Sequence, residues 1–238
     1  MKVIEFVALT NEGRHFSKQR PIRISDCGPS GHLRLDGVAR YLQDVGTDDW
    51  DDVGSGSSFA WVARRTALRL APDGRWPRLG EVAQLVTWCG GTGAAWAERR
   101  TNVLVDNTLM LETASLWVPV NAAGLPQRIP QSFIDLYGVA AKGRKVSGRI
   151  ERSVPPEGAT SRPWALRRSD IDVIDHVNNA AIWQAANEFV DGPVEYAVLT
   201  FHGALLESDA VNLVSVPGKM WLVVDGDVRV SGEFTPAR

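Results

Sequence analysis

Cysteine is scarce in this sequence, whose 238 residues contain only Cys27 and Cys89. The two thiols do not have metal-ligand spacing, and an isolated pair is weak support for a disulfide. The four histidines form no metal-binding cluster with them, so neither a metal nor a cofactor is expected. This cysteine usage is typical of a reducing compartment, and the sequence therefore predicts a cytoplasmic location.

Long apolar runs and an excess of positive charge are also missing. No apolar stretch approaches the ~20 residues of a membrane span, and the opening MKVIEFVALT is too short for a signal sequence. Lys and Arg number 26 against 28 Asp and Glu, which gives a net charge of −2. The sequence therefore predicts no membrane partner and no nucleic-acid partner, since nucleic acids attract basic surfaces.

The first half does contain a series of alternating and β-branched runs. Breaks such as GGTG and DN separate these runs and favour antiparallel hairpins. The opening ten residues predict a strand or an ordered arm. Leu35, Val38 and Leu42 then have helical spacing, which predicts a helix over residues 34–48. The later runs predict strands over residues 59–71, 81–90, 94–106 and 109–121.

A stretch rich in glycine, proline and charge, residues 138–160, predicts a linker. The same order of elements returns after it, with a helix expected over residues 178–189. Strands are expected over residues 163–172, 193–206, 210–218, 219–226 and 227–235. The predicted organisation is an N-terminal domain over residues 1–137, the linker, and a C-terminal domain over residues 161–238.

The two halves also share a spacing of polar residues. His32 is followed twelve positions later by Asp44, and His176 is followed twelve positions later by Glu188. Each pair brackets an apolar run with helical spacing. Two copies of one small α+β unit explain this pattern, and chance similarity between two amphipathic helices is the alternative.

The second copy carries a dense polar motif. Asp172, His176, Val177, Asn178 and Asn179 form D-x-x-x-H-V-N-N at the start of the predicted helix. This motif resembles the signature of hot-dog-fold acyl thioesterases. Because the unit occurs twice, the chain most resembles the acyl-ACP thioesterases, which contain two hot-dog domains.

The resemblance implies an α+β fold of two tandem hot-dog domains, each a central helix wrapped by an antiparallel sheet. It also implies hydrolysis of a fatty acyl thioester whose carrier is acyl carrier protein or coenzyme A. The chemistry is then expected in the second domain and the acyl chain in the first, with Trp61, Trp88, Trp96 and Trp117 around it. Both a monomer and a homodimer remain compatible with the sequence.

Three residues of the motif are the candidate catalytic group. Asp172 is a candidate general base, His176 can polarise the carbonyl or move a proton, and Asn178 can orient the thioester. The backbone N–H groups at the helix start can stabilise the oxyanion. The family's asparagine is replaced by Ile174, and its glutamate aligns near Ala204. The second half contains no cysteine, which excludes a cysteine nucleophile there.

Other interpretations stay open. Asp or Asn before an apolar helix is often only a cap, and the chain could bind acyl thioesters without hydrolysing them. A hot-dog hydratase or dehydratase is a further alternative, although its longer GD-x-N-P-x-H loop is absent. In the first copy, Gly28 to Gly31 are expected to lengthen the loop before His32, and that copy is expected to shape the pocket. Cations of the linker could steer an acidic carrier protein.

Overall fold

The computed structural model of the chain describes residues 4–54, 60–121, 123–190 and 192–237. Its first half contains β1 (His15–Pro21), α1 (Leu35–Asp52), β2 (Ala60–Leu70), β3 (Val82–Thr92), β4 (Ala97–Val105), β5 (Thr108–Val120) and α2 (Gln131–Tyr137). Its second half contains β6 (Thr160–Trp164), α3 (Asn179–Asn187), β7 (Val194–Phe201), β8 (Val211–Val216), β9 (Lys219–Val224) and β10 (Asp227–Pro236). A 3₁₀ turn precedes α1 at Ile24–Asp26, and another precedes α3 at Arg168–Asp170.

The strands of the described chain form one antiparallel sheet in the order β1-β3-β4-β5-β2-β7-β10-β9-β8-β6. The order reads the same from both ends when each second-half strand is matched with its first-half counterpart. The matched strands β2 and β7 meet at the centre and pair antiparallel, with Ala67 opposite Val198. Antiparallel pairing of two equivalent strands is the geometry of a local twofold axis, which therefore relates the two halves.

The predicted hairpin breaks are tight turns in both halves. Asp106 and Asn107 connect β4 to β5 with φ values of +49° and +61°. Asp225 and Gly226 connect β9 to β10 with φ values of +49° and +84°. Two successive positive φ values define the type I′ turn, whose twist matches that of paired strands. The two copies therefore use the same local chemistry to form equivalent hairpins.

Both long helices contribute to one hydrophobic core on the same face of the sheet. Val38 and Val45 of α1 and Ile182 and Trp183 of α3 are buried within a single cluster that also includes side chains from strands of both halves. The prediction of a helix against an antiparallel sheet in each half is therefore confirmed. The domain boundaries at residues 137 and 161 stay a prediction, since the sheet and the core continue from one half into the other.

The opposite face of the sheet is covered by irregular segments. Ile4 packs against Ala67, Ala114 and Val198 of the central strands. Residues 4–10 form an arm without strand pairing, so of the two predictions for the opening residues the arm is correct for these seven. Residues 1–3 lie outside the described part. The first strand is instead formed by residues 15–21. It was not predicted, because its mixture of charged and aromatic side chains has no clear alternation.

The other predicted runs each contain a strand or helix of the expected type, with three differences. The run over 163–172 contains only the end of β6, and then a 3₁₀ turn. Residue 59, at the start of another predicted strand, lies outside the described residues. Helix α2 was not predicted, because QSFIDLY is too short for a helical period to be recognised. No helix or strand occurs in the described residues between α2 and β6, and the linker there stays a prediction.

Candidate active site

The predicted motif lies on a short loop between the second 3₁₀ turn and α3. The Asp172 N–H donates to the His176 carbonyl at 2.9 Å, and Ile171 and Val177 form an antiparallel bridge. Asp172 and His176 are thus directly opposite each other, and such residues point to the same face with Cβ atoms about 4.5–5.5 Å apart. Val177 is buried, whereas Asp172 and His176 are half-buried. The loop therefore sets the two candidate catalytic residues opposite each other in a hairpin, and both remain partly accessible.

The polar side chains of this loop also stabilise its conformation. Asp172 Oδ1 accepts a hydrogen bond from the Ile174 N–H at 3.1 Å. Asn178 is the N-cap of α3, and its Oδ1 accepts from the Ala180 N–H at 2.8 Å. Within the described residues, the second Asp172 oxygen and the Asn178 amide nitrogen have no partner. Each side chain therefore has a structural contact and retains one atom that can face a ligand.

The two positions that depart from the family pattern lie around the same loop. Ile174 is at the tip of the hairpin and is 58% exposed. Ala204 is exposed beside Leu205, whose carbonyl accepts from the Val177 N–H at 2.9 Å. The strand end aligned with the family's glutamate therefore does lie next to the motif. Glu188 forms an ion pair with an arginine of β6 at 3.2 Å, as expected for a structural residue.

The first half contains the same loop in the same backbone conformation. The Gly28 N–H donates to the His32 carbonyl at 2.9 Å, which repeats the contact between Asp172 and His176. Gly31 has a φ of +77°, and the non-glycine residue at the matching position, Asp175, has a φ of +58°. Aspartate is one of the few side chains that tolerate this left-handed conformation. The two loops therefore have equal length.

This equality corrects the expected difference in loop length. Residues 28–31 do not lengthen the first loop, because the same backbone hydrogen bonds close both loops. Asp26 is the counterpart of Asp170, since each carboxylate accepts from the backbone N–H three residues earlier, at 3.0 Å and 2.9 Å. Gly28 is consequently the counterpart of Asp172. The first copy has His32 without the opposing carboxylate, and this difference distinguishes the second copy as the candidate site.

The start of α3 lies against the middle of α1. At the other end of α3, Asn187 Oδ1 accepts from the Leu35 N–H at 3.1 Å, and Asn187 Nδ2 donates to Asp36 Oδ1 at 2.8 Å. A twofold axis makes contacts reciprocal, so we expect the first residue of α3, Asn179, to lie beside Gln43, the α1 counterpart of Asn187. The reciprocal hydrogen bond is not formed. In the described part of the chain, neither the Asn179 N–H nor the Gln43 side chain has a partner.

A cavity of about 290 Å³ lies beside Gln43, between α1, α2 and the first-half strands. Its lining residues are Leu42, Gln43, Gly46, Thr47, Trp50, Trp61, Trp88, Cys89, Ala97, Glu98, Arg99, Trp117, Phe133 and Tyr137. Helix α2 is held there by aromatic contacts, with Phe133 4.8 Å from Tyr137 and Tyr137 stacked 6.4 Å from Trp50, measured between ring centroids. The mainly apolar and aromatic wall is suited to an apolar ligand.

Some polar groups of the cavity wall are already paired. Arg99 donates to Asp49 at 2.6 Å, and Arg14 donates to the other oxygen of Asp49 at 2.8 Å. Burial raises the pKa of the Cys89 thiol, so the thiol is neutral at neutral pH and a poor nucleophile. Burial, followed by the charge of Asp49, raises the pKa of Tyr137. None of these groups is therefore a good candidate for acid–base catalysis.

Three of the four predicted pocket tryptophans line the cavity, namely Trp61, Trp88 and Trp117. The prediction for Trp96 is wrong. Its indole N–H donates to the Val146 carbonyl of the linker at 2.8 Å. Trp96 therefore anchors the linker instead of lining the cavity.

No sequence pattern indicated Gln43, because no motif includes it and only the packing of the helices brings it toward the start of α3. No group of three or more His, Cys, Asp or Glu side chains in the described residues is arranged to hold a metal ion. Across those residues, no helix is long and apolar enough to cross a membrane.

The fold and the site can be compared with known proteins. Residues 13–137 match the family model described as the acyl-ACP thioesterase N-terminal domain. This match covers more than half of the chain, and the chain belongs to the acyl-ACP thioesterase family. The resemblance inferred from the motif and the repeat is thereby confirmed.

Solved structures agree over nearly the whole chain. The 12:0-ACP thioesterase from Umbellularia californica has 18% identity and a TM-score of 0.75, covering 93% of this chain and 96% of that one. An acyl-ACP thioesterase from Bacteroides thetaiotaomicron has 15% identity and a TM-score of 0.77, covering 93% and 97%. At these identities the likeness concerns the fold, which is the α+β double hot-dog arrangement.

Curated relatives are similar in sequence over part of their length. An uncharacterised protein of Mycobacterium tuberculosis is 29% identical over 168 residues, which are 70% of this chain and 66% of the relative. The chloroplastic oleoyl-acyl carrier protein thioesterase of Coriandrum sativum is 24% identical over 200 residues, which are 73% of this chain and 53% of the plant protein. The chain thus spans just under two thirds and about half of these relatives.

Proposed function

We propose that this protein hydrolyses fatty acyl thioesters carried by acyl carrier protein or by coenzyme A. The observation that carries the proposal is that Gln43 lines the aromatic cavity, because its twofold relation to Asn187, which binds the start of α1, puts Gln43 beside the start of α3. An acyl chain in the cavity can therefore present its thioester to the loop that holds Asp172 and His176. Family membership supports the same reaction.

The acyl chain binds in the cavity through burial of apolar surface. Each methylene group transferred from water contributes about 0.8 kcal/mol, so the depth of the cavity sets the preferred chain length. The aromatic residues of α1, α2 and the strands supply rigid walls for this purpose. Gln43 is placed where the chain leaves the cavity, and its free amide can contact the thioester.

The carbonyl oxygen is bound at the start of α3. The Asn179 N–H has no partner within the described residues, and a helix N-terminus carries a partial positive charge. Negative charge develops on the carbonyl oxygen when water attacks, so a preformed N–H donor lowers the barrier. The Asn178 amide nitrogen, which the helix cap leaves free, can donate to the same ligand.

Asp172 and His176 act on the attacking water and the leaving thiol. The free Asp172 oxygen accepts a proton from the water as its oxygen bonds to the carbonyl carbon. The carbon–sulfur bond then breaks, and the proton passes to the sulfur of the leaving thiol. His176, on the same face of the hairpin, is positioned to transfer that proton. The products are a fatty acid and the free thiol of the carrier.

The proposal also includes a cytoplasmic location. It does not require a homodimer, because one chain already supplies both copies of the twofold-related unit.

The test measures thiol release from acyl-carrier-protein and acyl-coenzyme A thioesters of increasing chain length. The wild-type chain should hydrolyse at least one series, and His176→Ala should reduce turnover by about 10²–10⁴-fold. His32→Ala is the matched control, because His32 occupies the equivalent loop position in the first half, and its turnover should be unchanged. Tight binding of the thioesters without hydrolysis by the wild type would instead support the acyl-binding alternative.

A further inference from the structure

A second cavity, of about 300 Å³, lies at the centre of the sheet beneath the linker. Arg64 and Arg229 enter it from irregular points of β2 and β10, where the strand register shifts. Arg152 enters it from the linker, and His202 enters it from the end of β7. Asp227 is the single carboxylate among the lining residues. We call this site the arginine cavity.

The arginines of this cavity lack counter-ions. Arg64, Arg152 and Arg229 form no ion pair with any described residue, and the Nε of Arg229 is buried without a hydrogen-bond partner. Exposed cations nearby can be paired, as Lys142 of the linker is with Glu12 at 3.2 Å. Three converging guanidinium groups repel one another, and a buried unsatisfied donor is costly. An anionic ligand would remove both penalties.

The histidine of the cavity adds a further polar group. His202 Nε2 lies 2.9 Å from Ser231 Oγ. Burial lowers the pKa of His202, and the charges of Arg64 and Arg152 lower it further. The imidazole is therefore neutral at neutral pH and can donate one hydrogen bond without adding to the positive charge.

The fold itself does not require these cations. At the equivalent place in the first half, the Ala71 N–H donates to the Met110 carbonyl at 2.9 Å, as the His202 N–H does to the Arg229 carbonyl at 2.8 Å. Ala71 and Met110 are both buried and apolar. The same backbone hydrogen bond thus forms between two apolar residues in the first half, whereas a histidine and an arginine occupy these two positions in the half that contains the candidate active site.

The arginine cavity is also close to the candidate active site along the chain. Leu205 lies three positions after His202, and its carbonyl accepts from the Val177 N–H of the motif loop. Three positions of extended chain span at most about 11 Å. The motif loop and the arginine cavity therefore lie at the same end of β7.

We propose that the arginine cavity binds a phosphate group of the thioester's carrier arm. That phosphate belongs either to the phosphopantetheine of a carrier protein or to coenzyme A, which share the pantetheine phosphate. Guanidinium groups match phosphate oxygens by paired hydrogen bonds. This inference rests on the proposed function, because hydrolysis is what brings a carrier arm to this face of the chain.

The first experiment measures binding to the full chain by calorimetry, with coenzyme A, 4′-phosphopantetheine, pantetheine and inorganic phosphate as probes. Coenzyme A and phosphopantetheine should bind more tightly than pantetheine. Arg64→Ala and Arg152→Ala should each weaken phosphopantetheine binding by about 10–100-fold, as expected for charge-assisted hydrogen bonds. Arg78→Ala, which removes an exposed cation outside the cavity, is the control and should leave binding unchanged.

The second experiment separates the sources of the phosphate and the two proposals. With acyl-carrier-protein, acyl-coenzyme A and acyl-pantetheine substrates, the two arginine variants should raise KM for phosphate-bearing thioesters only and keep kcat. An effect on acyl-coenzyme A alone would assign the site to its nucleotide phosphates. If the wild type hydrolyses thioesters and both variants behave like it, or if pantetheine and phosphopantetheine bind equally, the proposal for the arginine cavity is wrong while the proposed function stands. Arginine-dependent phosphopantetheine binding without any hydrolysis would contradict the proposed function alone.

Discussion

Replacing Asp172 should separate catalysis from folding more clearly than any other change in the motif. Within the described residues, the Asp172 side chain forms one hydrogen bond, which its Oδ1 accepts from the Ile174 N–H at 3.1 Å. Asp172→Asn keeps an oxygen that can accept the same hydrogen bond. Asp172→Ala removes the hydrogen bond, but Gly28 shows that the loop closes with no side chain at this position. Neither variant should therefore disturb the loop.

The expected sizes of the two effects are different. One exposed hydrogen bond contributes about 0.5–1.5 kcal/mol to stability, so Asp172→Ala should lower the free energy of unfolding by about 1 kcal/mol or less. Loss of a general base reduces turnover by about 10²–10⁴-fold, which corresponds to about 3–5 kcal/mol in the barrier. Asp172→Asn should therefore show nearly wild-type stability and a large loss of kcat.

The assay combines thiol-release kinetics with urea unfolding of the wild type, Asp172→Asn and Asp172→Ala. If both variants retain full turnover, Asp172 has no part in the mechanism and the motif serves only as a turn and a helix cap. A large loss of stability in Asp172→Asn would also refute the reasoning, because it would show that the carboxylate is needed to fold the loop.

Two further predictions concern the cavity and the buried ion network of α1. Trp88→Leu should shift the preferred substrate toward chains about two or more methylenes longer, since it removes part of the cavity wall and each added methylene can then be buried. Trp96→Leu, which lies outside the cavity, should leave the chain-length profile unchanged, and a profile unmoved by Trp88→Leu would argue against acyl binding there. Burial acts to raise the pKa of Asp36, but hydrogen bonds from its two arginine partners outweigh burial and lower the pKa below its ordinary value of 3.8. A carboxylate whose pKa is lowered by folding stabilises the fold while it is ionised, and this stabilisation is lost as the carboxylate becomes protonated. Asp36→Asn should therefore lower the free energy of unfolding by about 1–3 kcal/mol at neutral pH. The difference from the wild type should shrink as the pH falls below 3.8, and urea unfolding from neutral pH to about pH 3 measures it. A difference independent of pH would contradict this account of Asp36.

Several features of this protein could be predicted from local sequence. The hairpins follow from alternation and turn-forming pairs such as Asp106 and Asn107, since these signals depend on neighbouring residues alone. The repeat was visible because both copies kept their histidines, His32 and His176, at one spacing. The motif itself indicated the family, and the proposed site lies where α3 begins.

Local patterns failed where a segment's structure depends on distant partners. Residues 4–10 are mostly apolar, which is compatible with a strand, but they cover the sheet as an arm because Ile4 finds apolar partners on the strands beneath it. Helix α2 is too short to show a period and is held by contacts of Phe133 and Tyr137 with the cavity wall. Equal loop lengths in the two copies became evident only from their backbone hydrogen bonds.

By itself, the sequence determined the element types, their duplication and the residues of the candidate site, because each depends on spacing along the chain. Only the tertiary structure decided that the two copies share one sheet and one core. It also decided that Gln43 lines the aromatic cavity, and that Arg64, Arg152 and Arg229 converge without counter-ions among the described residues. The physical reason is that a twofold axis and a continuous sheet bring together residues far apart in sequence, and no local pattern records which of them meet.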